Sequence, residues 1–388
     1  MTKLTTDGPI DDDRRVMVDA ATWIVKVGSR SLTDDTGRLD PAQIANLATQ
    51  LIALSQMGKH VVLVSSGAVA SGMGRLGLAA RPADLATLQA VAAIGQTHLI
   101  QVYEQTFSAH GKHAAQILLT ASDLDDRVAY LNVRNTLLRL LELGAIPIIN
   151  ENDSVAVDEL KTTFGDNDRL AGMVAGLFQD CALVILSDVR GLYDRDPRDP
   201  GASVLSTVQR IDDSVEELVK DRQTGISKGG MASKLTTAKF VTHSGQCAAI
   251  AWGREPDVLV RMARGESLGT LFLPQSKSLG SRKRWIGFSA QPAGSIVVDD
   301  GAAQAMKAGG RSLLAIGIAD VHGDFGKGDV VSVHNRQALE IARGLSNYSA
   351  AQIKMIRGCR SDRIEQILGQ CPYEEVIHRD NLTVVSGT

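Results

Sequence analysis

Short apolar runs alternate along the chain with stretches whose apolar residues recur every three to four positions. The runs at 22–28 (TWIVKVG), 60–66 (HVVLVSS), 114–120 (AAQILLT), 145–150 (AIPIIN), 182–187 (ALVILS), 248–253 (AAIAWG) and 270–274 (TLFLP) read as strands. Between them, PAQIANLATQLIALSQMG and VRNTLLRLLELG carry a helical period, and Gly144 closes the second as a C-cap. Strands that are apolar on both faces and separated by helices predict an α/β fold, a three-layer sandwich around a mostly parallel sheet.

The pattern changes after Pro274. Residues 275–285 (QSKSLGSRKRW) are polar, basic and rich in small residues, as a linker would be. Beyond them, GSIVVD, SLLAIGIADV, DVVSVHN and LEIARGL are short strand-like pieces parted by turn signals such as HGDFGKGD. The expected organisation is a flexible N-terminal extension (1–20), an α/β domain (21–274), a linker (275–290) and a small β-rich domain (291–388).

Composition narrows the function classes. The chain has 388 residues, 44% hydrophobic and 22% charged, with a net charge of −3, so nothing draws it as a whole to nucleic acid or anionic membrane. No apolar run is long enough to span a bilayer, and the acidic start has no signal-peptide core. The four cysteines are widely spaced, as expected of free thiols in a reducing cytoplasm.

Candidate chemistry gathers at the strand ends. In open α/β sheets, ligands bind beyond the carboxyl ends of the strands. Four polar clusters stand there: Lys26-Val27-Gly28-Ser29, Ser65-Ser66-Gly67, Asn150-Glu151-Asn152-Asp153 and Ser187-Asp188. Lys26 reads either as a solvated edge residue or as a cation for phosphate. Gly165-Asp166-Asn167-Asp168 supplies more polar groups than capping the following helix needs. Gly229-Gly230 opens a helix without the Lys-Ser of a P-loop; it could still aim backbone N–H groups at an anion, with Lys234 a turn inside. Gly72-x-Gly74-x-x-Gly77 imitates a dinucleotide fingerprint but neither follows its strand directly nor leads to the required acidic residue.

Taken in order, VKVGS, VSSGAVASG, GQTHLIQVYEQ, INENDSVA, FGDNDRLA, LSDVRGLYDRDPR, KGGMASKL and LGTLFLP, with RKRWIGF in the tail, resemble the glutamate 5-kinase group of the amino acid kinase family over about residues 24–378. The resemblance implies an amino acid kinase-like domain followed by a PUA-type domain. It implies transfer of the γ-phosphoryl of ATP to the side-chain carboxylate of L-glutamate, the first step of proline biosynthesis, with Mg2+ carried mainly on the ATP phosphates. By the same resemblance Lys26 and Lys234 neutralise the phosphoryl group, and Asp168 orients them close to the metal. Ser66, Gly67, Asp153 and Asn167 hold glutamate. Lys26, Gly28, Ser29, Ser187, Asp188 and the run Lys228, Gly229, Gly230, Met231, Ala232, Ser233 and Lys234 line the ATP site. Proline as feedback inhibitor, a glutamyl phosphate reductase downstream, a cytoplasmic location and a homo-oligomer are further expectations of the resemblance.

Arg30, Ser227-Lys228 and an apparent insertion at Thr162-Thr163 depart from the family pattern and bear on affinity more than on reaction class. Acetylglutamate kinase and aspartokinase share the fold, but the β-rich tail and the INEND-V motif stand against them. RNA binding by the tail is the competing class. Residues 291–388 hold ten Lys/Arg against eleven Asp/Glu, which lacks the basic footprint of phosphate contacts.

Overall fold

Eight strands of the first unit form one sheet in the order β3-β4-β2-β1-β5-β7-β8-β6. They are β1 (Thr22–Val27), β2 (His60–Ser65), β3 (Ala114–Leu119), β4 (Ile146–Glu151), β5 (Cys181–Ser187), β6 (Thr207–Val208), β7 (Cys247–Trp252) and β8 (Thr270–Phe272). The computed structural model describes residues 11–34, 36–155, 166–219, 229–275, 280–309 and 311–385. Two units emerge, one of residues 1–123 and 131–278, the other of residues 124–130 and 279–388.

The central strands β1, β4 and β5 are buried at every position, and they are apolar except for Thr22 and Lys26 of β1, Asn150 and Glu151 of β4 and Ser187 of β5. β1 pairs in parallel with β2 and β5, β2 with β4, and β5 with β7. β8 runs antiparallel to β7, and β6 joins β8 at the edge. The sequence period does not reveal this reversal, because a short buried run looks the same in either direction. Trp23, Val25, Leu51, Leu63, Ile148 and Val184 are among the residues of the core beneath the sheet.

Two stretches are more ordered than their composition predicts. Residues Asp12–Asp19 form a helix capped by Asp11, and Met17 within it is fully buried. Arg14 anchors this helix, donating to the Ser206 carbonyl at 2.6 Å and the Ser267 hydroxyl at 3.1 Å. In the second unit, Ser281–Arg284 is helical and passes into a π-helical turn, Trp285–Ser289, in which Trp285 and Ile286 bury their side chains.

The second unit carries a five-stranded sheet of β9 (Gly294–Val298), β11 (Ile318–Gly323), β12 (Val330–His334), β13 (Glu340–Leu345) and β15 (Leu382–Val384), in the order β11-β9-β12-β13-β15. All its pairings are antiparallel except β9 with β12. A two-stranded ribbon, β10 (Leu313–Leu314) with β14 (Glu375–Ile377), completes it. Its own core includes Ile296, Val331, Ile341, Ile353 and Ile377. Arg127 stacks on Trp285, 5.0 Å from the ring centre, inside this unit.

Candidate active site

Because β4, β2, β1 and β5 are parallel neighbours, their polar carboxyl ends share one edge of the sheet. Lys26 lies one residue before the end of β1, in register with Val64 and Ile185. Its side chain is only 7% exposed, and such a cation needs a partner. The partner is Asp168, whose Oδ1 is 2.7 Å from Lys26 Nζ. The other oxygen, Oδ2, accepts from Lys234 Nζ at 2.9 Å. Two ammonium groups more than two hundred residues apart in sequence thus share one carboxylate.

Helix packing sets this geometry. Asp168 sits in the first turn of the helix Asp166–Ala175, and Lys234 in the second turn of the helix Gly229–His243. One turn beyond Asp168, Gly172 lets the helices close: a Cβ there would lie 3.0 Å from Thr237 Cγ2. Gly229 and Gly230 open the second of these helices, Lys234 Nζ donates back to the Gly230 carbonyl oxygen at 3.4 Å, and Met231, Ala232 and Ser233 follow in its first turns, half-buried. Lys228 and the Thr162-Thr163 insertion lie outside the described residues.

A second cluster adjoins the first through sequence neighbours. Asn167 Nδ2 donates to Ser66 Oγ at 2.9 Å and to Asn150 Oδ1 at 3.2 Å. Asn150 also accepts from the Glu151 backbone N–H at 2.9 Å and donates through Nδ2 to Gln96 Oε1 at 2.8 Å. Gly67 follows Ser66 with φ +111, a left-handed conformation that favours glycine and lets the chain turn from β2 into the helix Ala68–Leu76. Asp153 lies on the wall of a cavity of about 180 Å³ at the end of β4, which Gln96 also lines. Burial pushes the Asp153 carboxyl up to about 6, against the pull of Arg81.

At the end of β5, Ser187 is buried and donates to Asp188 Oδ1 at 3.1 Å. Arg30, which departs from the family pattern, reaches across from the turn after β1 to Asp188 Oδ2 at 2.9 Å. Burial raises the Asp188 pKa, but the hydrogen bonds from Arg30 and Ser187 outweigh it and leave the carboxyl below its usual range. Gly28 and Ser29 form this turn; a Cβ on Gly28 would come 3.6 Å from Lys26 Nζ.

Sequence reasoning did not assign roles to Asn150 and Gln96. Asn150 was visible as part of a polar strand end, but its place as the hub between Asn167 and Gln96 depends on the crossing of three elements. Gln96 gives a weaker signal, one polar residue on the buried side of a long helix. The fingerprint-like Gly72 serves packing instead: a Cβ there would fall 1.9 Å from the Val91 carbonyl oxygen.

The cradle suits an anion. Two cations and one carboxylate leave a surplus positive charge beside a helix N-terminus. With an ammonium group on each oxygen, Asp168 is a poor place for a divalent cation to bind directly; a cation arriving on an anionic ligand fits better.

The family model described as "Amino acid kinase family" matches residues 21–250, and the one described as "PUA domain" matches residues 294–368. The glutamate 5-kinase of Rhodopirellula baltica is 49% identical over 371 residues, 96% of this chain and 95% of that protein. That of Burkholderia multivorans is 48% identical over 96% of this chain and 100% of its own length. That of Ralstonia pickettii is 48% identical over 95% of this chain and 99% of its own length. The two family-model matches and the near-complete coverage by these relatives at 48–49% identity lead to one conclusion: the chain belongs to the amino acid kinase family, among its glutamate 5-kinases.

Proposed function

We propose that this chain transfers the γ-phosphoryl group of ATP to the γ-carboxylate of L-glutamate, giving L-glutamyl 5-phosphate. The observation that carries the reading is the shared carboxylate: Asp168 holds Lys26 and Lys234 at 2.7 and 2.9 Å, two cations converging on one point at the ligand edge of the sheet.

The chemistry asks for little else. A glutamate side chain, with an ordinary pKa of about 4.3, is already ionised at neutral pH, so no general base has to act. A migrating phosphoryl group spreads charge over its equatorial oxygens and is stabilised by positioned cations and N–H donors. Lys26 and Lys234 supply the cations; the N-terminal turn of the helix Gly229–His243 supplies the N–H groups. Asp168 acts through the lysines by fixing where their charges stand. Mg2+ held by the ATP phosphates adds charge neutralisation. Asn167, Ser66 and Gly67 lie where the acceptor carboxylate would be steered, and Asp153 suits the substrate's α-ammonium group. N-acetylglutamate has no such ammonium, which weighs against the acetylglutamate kinase reading. Ser187, Asp188, Gly28 and Ser29 border the nucleotide side.

Feedback by proline, consumption of the acyl phosphate by a reductase, a homo-oligomeric state and a cytoplasmic location belong to the same reading; among the described residues no helix is long and apolar enough to cross a membrane. The test is hydroxamate trapping of the acyl phosphate with ATP, Mg2+ and either glutamate, N-acetylglutamate or aspartate. Hydroxamate from glutamate is expected. Product from only the other two acids would end the reading.

A further inference from the structure

We propose that Gln96 is a further substrate-binding residue, its Nε2 donating to the α-carboxylate of the bound amino acid. This rests on the functional reading above and adds a contact to it.

The orientation of the Gln96 amide follows from its neighbours. Asn150 Oδ1 is taken by the Glu151 N–H at 2.9 Å and by Asn167 Nδ2 at 3.2 Å. Asn150 therefore turns its amide nitrogen to Gln96, 2.8 Å from Oε1. That bond fixes which end of the Gln96 amide is oxygen and which is nitrogen. Gln96 is 6% exposed, and Nε2 has no hydrogen-bond partner among the described residues. An unmet buried donor costs about 1–3 kcal/mol, a cost that a bound acceptor removes.

The surroundings specify that acceptor. Gln96 lines the cavity at the end of β4 together with Gln116, Glu151, Asn152, Asp153 and Ser154. The occupant must give an acceptor to an amide N–H and a cation to Asp153. An α-amino acid carries both on one carbon. Gln96 is also held firmly in place. The neighbouring Gly95 lets the helix Leu85–Ser108 press against the helix Ala68–Leu76, since a Cβ there would fall 1.9 Å from the Ala68 carbonyl oxygen.

Gln96→Glu tests the contact. It retains the oxygen that Asn150 needs and replaces only the donor, so a merely structural role would survive. The variant should raise KM for glutamate about 30-fold or more, with KM for ATP within about threefold of the parent. For 4-aminobutanoate, which lacks the α-carboxylate, kcat/KM should change by less than about threefold. A glutamate KM that stays near the parent value, or an ATP KM that rises in step with it, overturns the proposal. If the charge prevents folding, the parent enzyme gives the answer by NMR. The side-chain amide pair that Gln96→Asn removes should shift with saturating glutamate but not with 4-aminobutanoate; an unmoved pair overturns the contact. A parent that makes no hydroxamate from glutamate sinks the substrate reading and this contact with it. An active parent with an unaffected Gln96→Glu variant sinks the contact alone.

Discussion

Arg30 Nη1 and Asp188 Oδ2 lie 2.9 Å apart, tying the turn after β1 to the end of β5. Both side chains are well exposed, and exposed ion pairs contribute at most about 1 kcal/mol. Arg30→Ser should therefore lower stability by no more than that in urea unfolding, and kcat should stay within about threefold of the parent. A hundredfold fall in kcat would instead make Arg30 a cation for the phosphates.

The buried triad responds differently. Lys234→Ala is expected to lower kcat by about 100-fold or more, the scale of losing one preorganised charge at the reacting group. Lys26→Ala should do the same, and the double variant should lose less than the product of the two, because they act on one group. Steady-state kinetics of the three variants decides it; near-normal turnover of either single variant removes that lysine from the mechanism.

Asp168→Ala should damage the fold as well as the rate. It leaves two ammonium groups, 7% and 13% exposed, without their shared counter-charge. Breaking a buried pair in this way costs about 3–5 kcal/mol. The denaturation midpoint should fall accordingly, and Lys26→Met in the same chain should recover part of the loss.

Asp153 links glutamate binding to pH. Its carboxyl is pushed up to about 6 by burial and must be ionised to hold an ammonium group. KM for glutamate should therefore rise as pH falls below about 6, level off above it, and lose this dependence in Asp153→Asn. Stability of the free enzyme follows the opposite course. An acid with a raised folded-state pKa favours the folded state when protonated, so its contribution is fully present below about 3.9, declines as pH rises to about 6 and is constant above. Thermal unfolding of the parent and Asp153→Asn across this window checks the sign.

Gly95→Ala places a methyl group where a Cβ would be 1.9 Å from the Ala68 carbonyl oxygen, which backbone must yield to accommodate. A loss of about 1–3 kcal/mol or more is expected in denaturant unfolding, with a higher KM for glutamate as Gln96 moves. Unchanged stability would mean that the two helices are not locked there.

Much was legible in order along the chain. The apolar runs marked the strands because a strand buried on both faces is apolar wherever its side chains find no polar partner; Lys26 in β1 has Asp168. The polar residues at the carboxyl ends of those runs, Lys26, Asn150 and Ser187 among them, fall on one edge of the sheet because the strands that carry them run parallel. Residue pattern alone left Lys26 open between a solvated edge residue and a cation for phosphate and marked Asp168 as one polar group more than a cap needs; the pairing of Lys26 and Lys234 at one site came from the family resemblance. Three-dimensional packing decided what periodicity cannot carry: that β8 runs against β7, that Trp285 and Ile286 are buried rather than part of a loose connection, and that Asp168 gives one oxygen to each lysine. It also decided that Asn150 commits the Gln96 oxygen and leaves its nitrogen unmet. The physical reason is range. Hydrophobic period and capping are properties of neighbours along the chain. A hydrogen bond between residues 54 positions apart, or an ion pair between residues 66 apart, exists only once helices and strands have crossed.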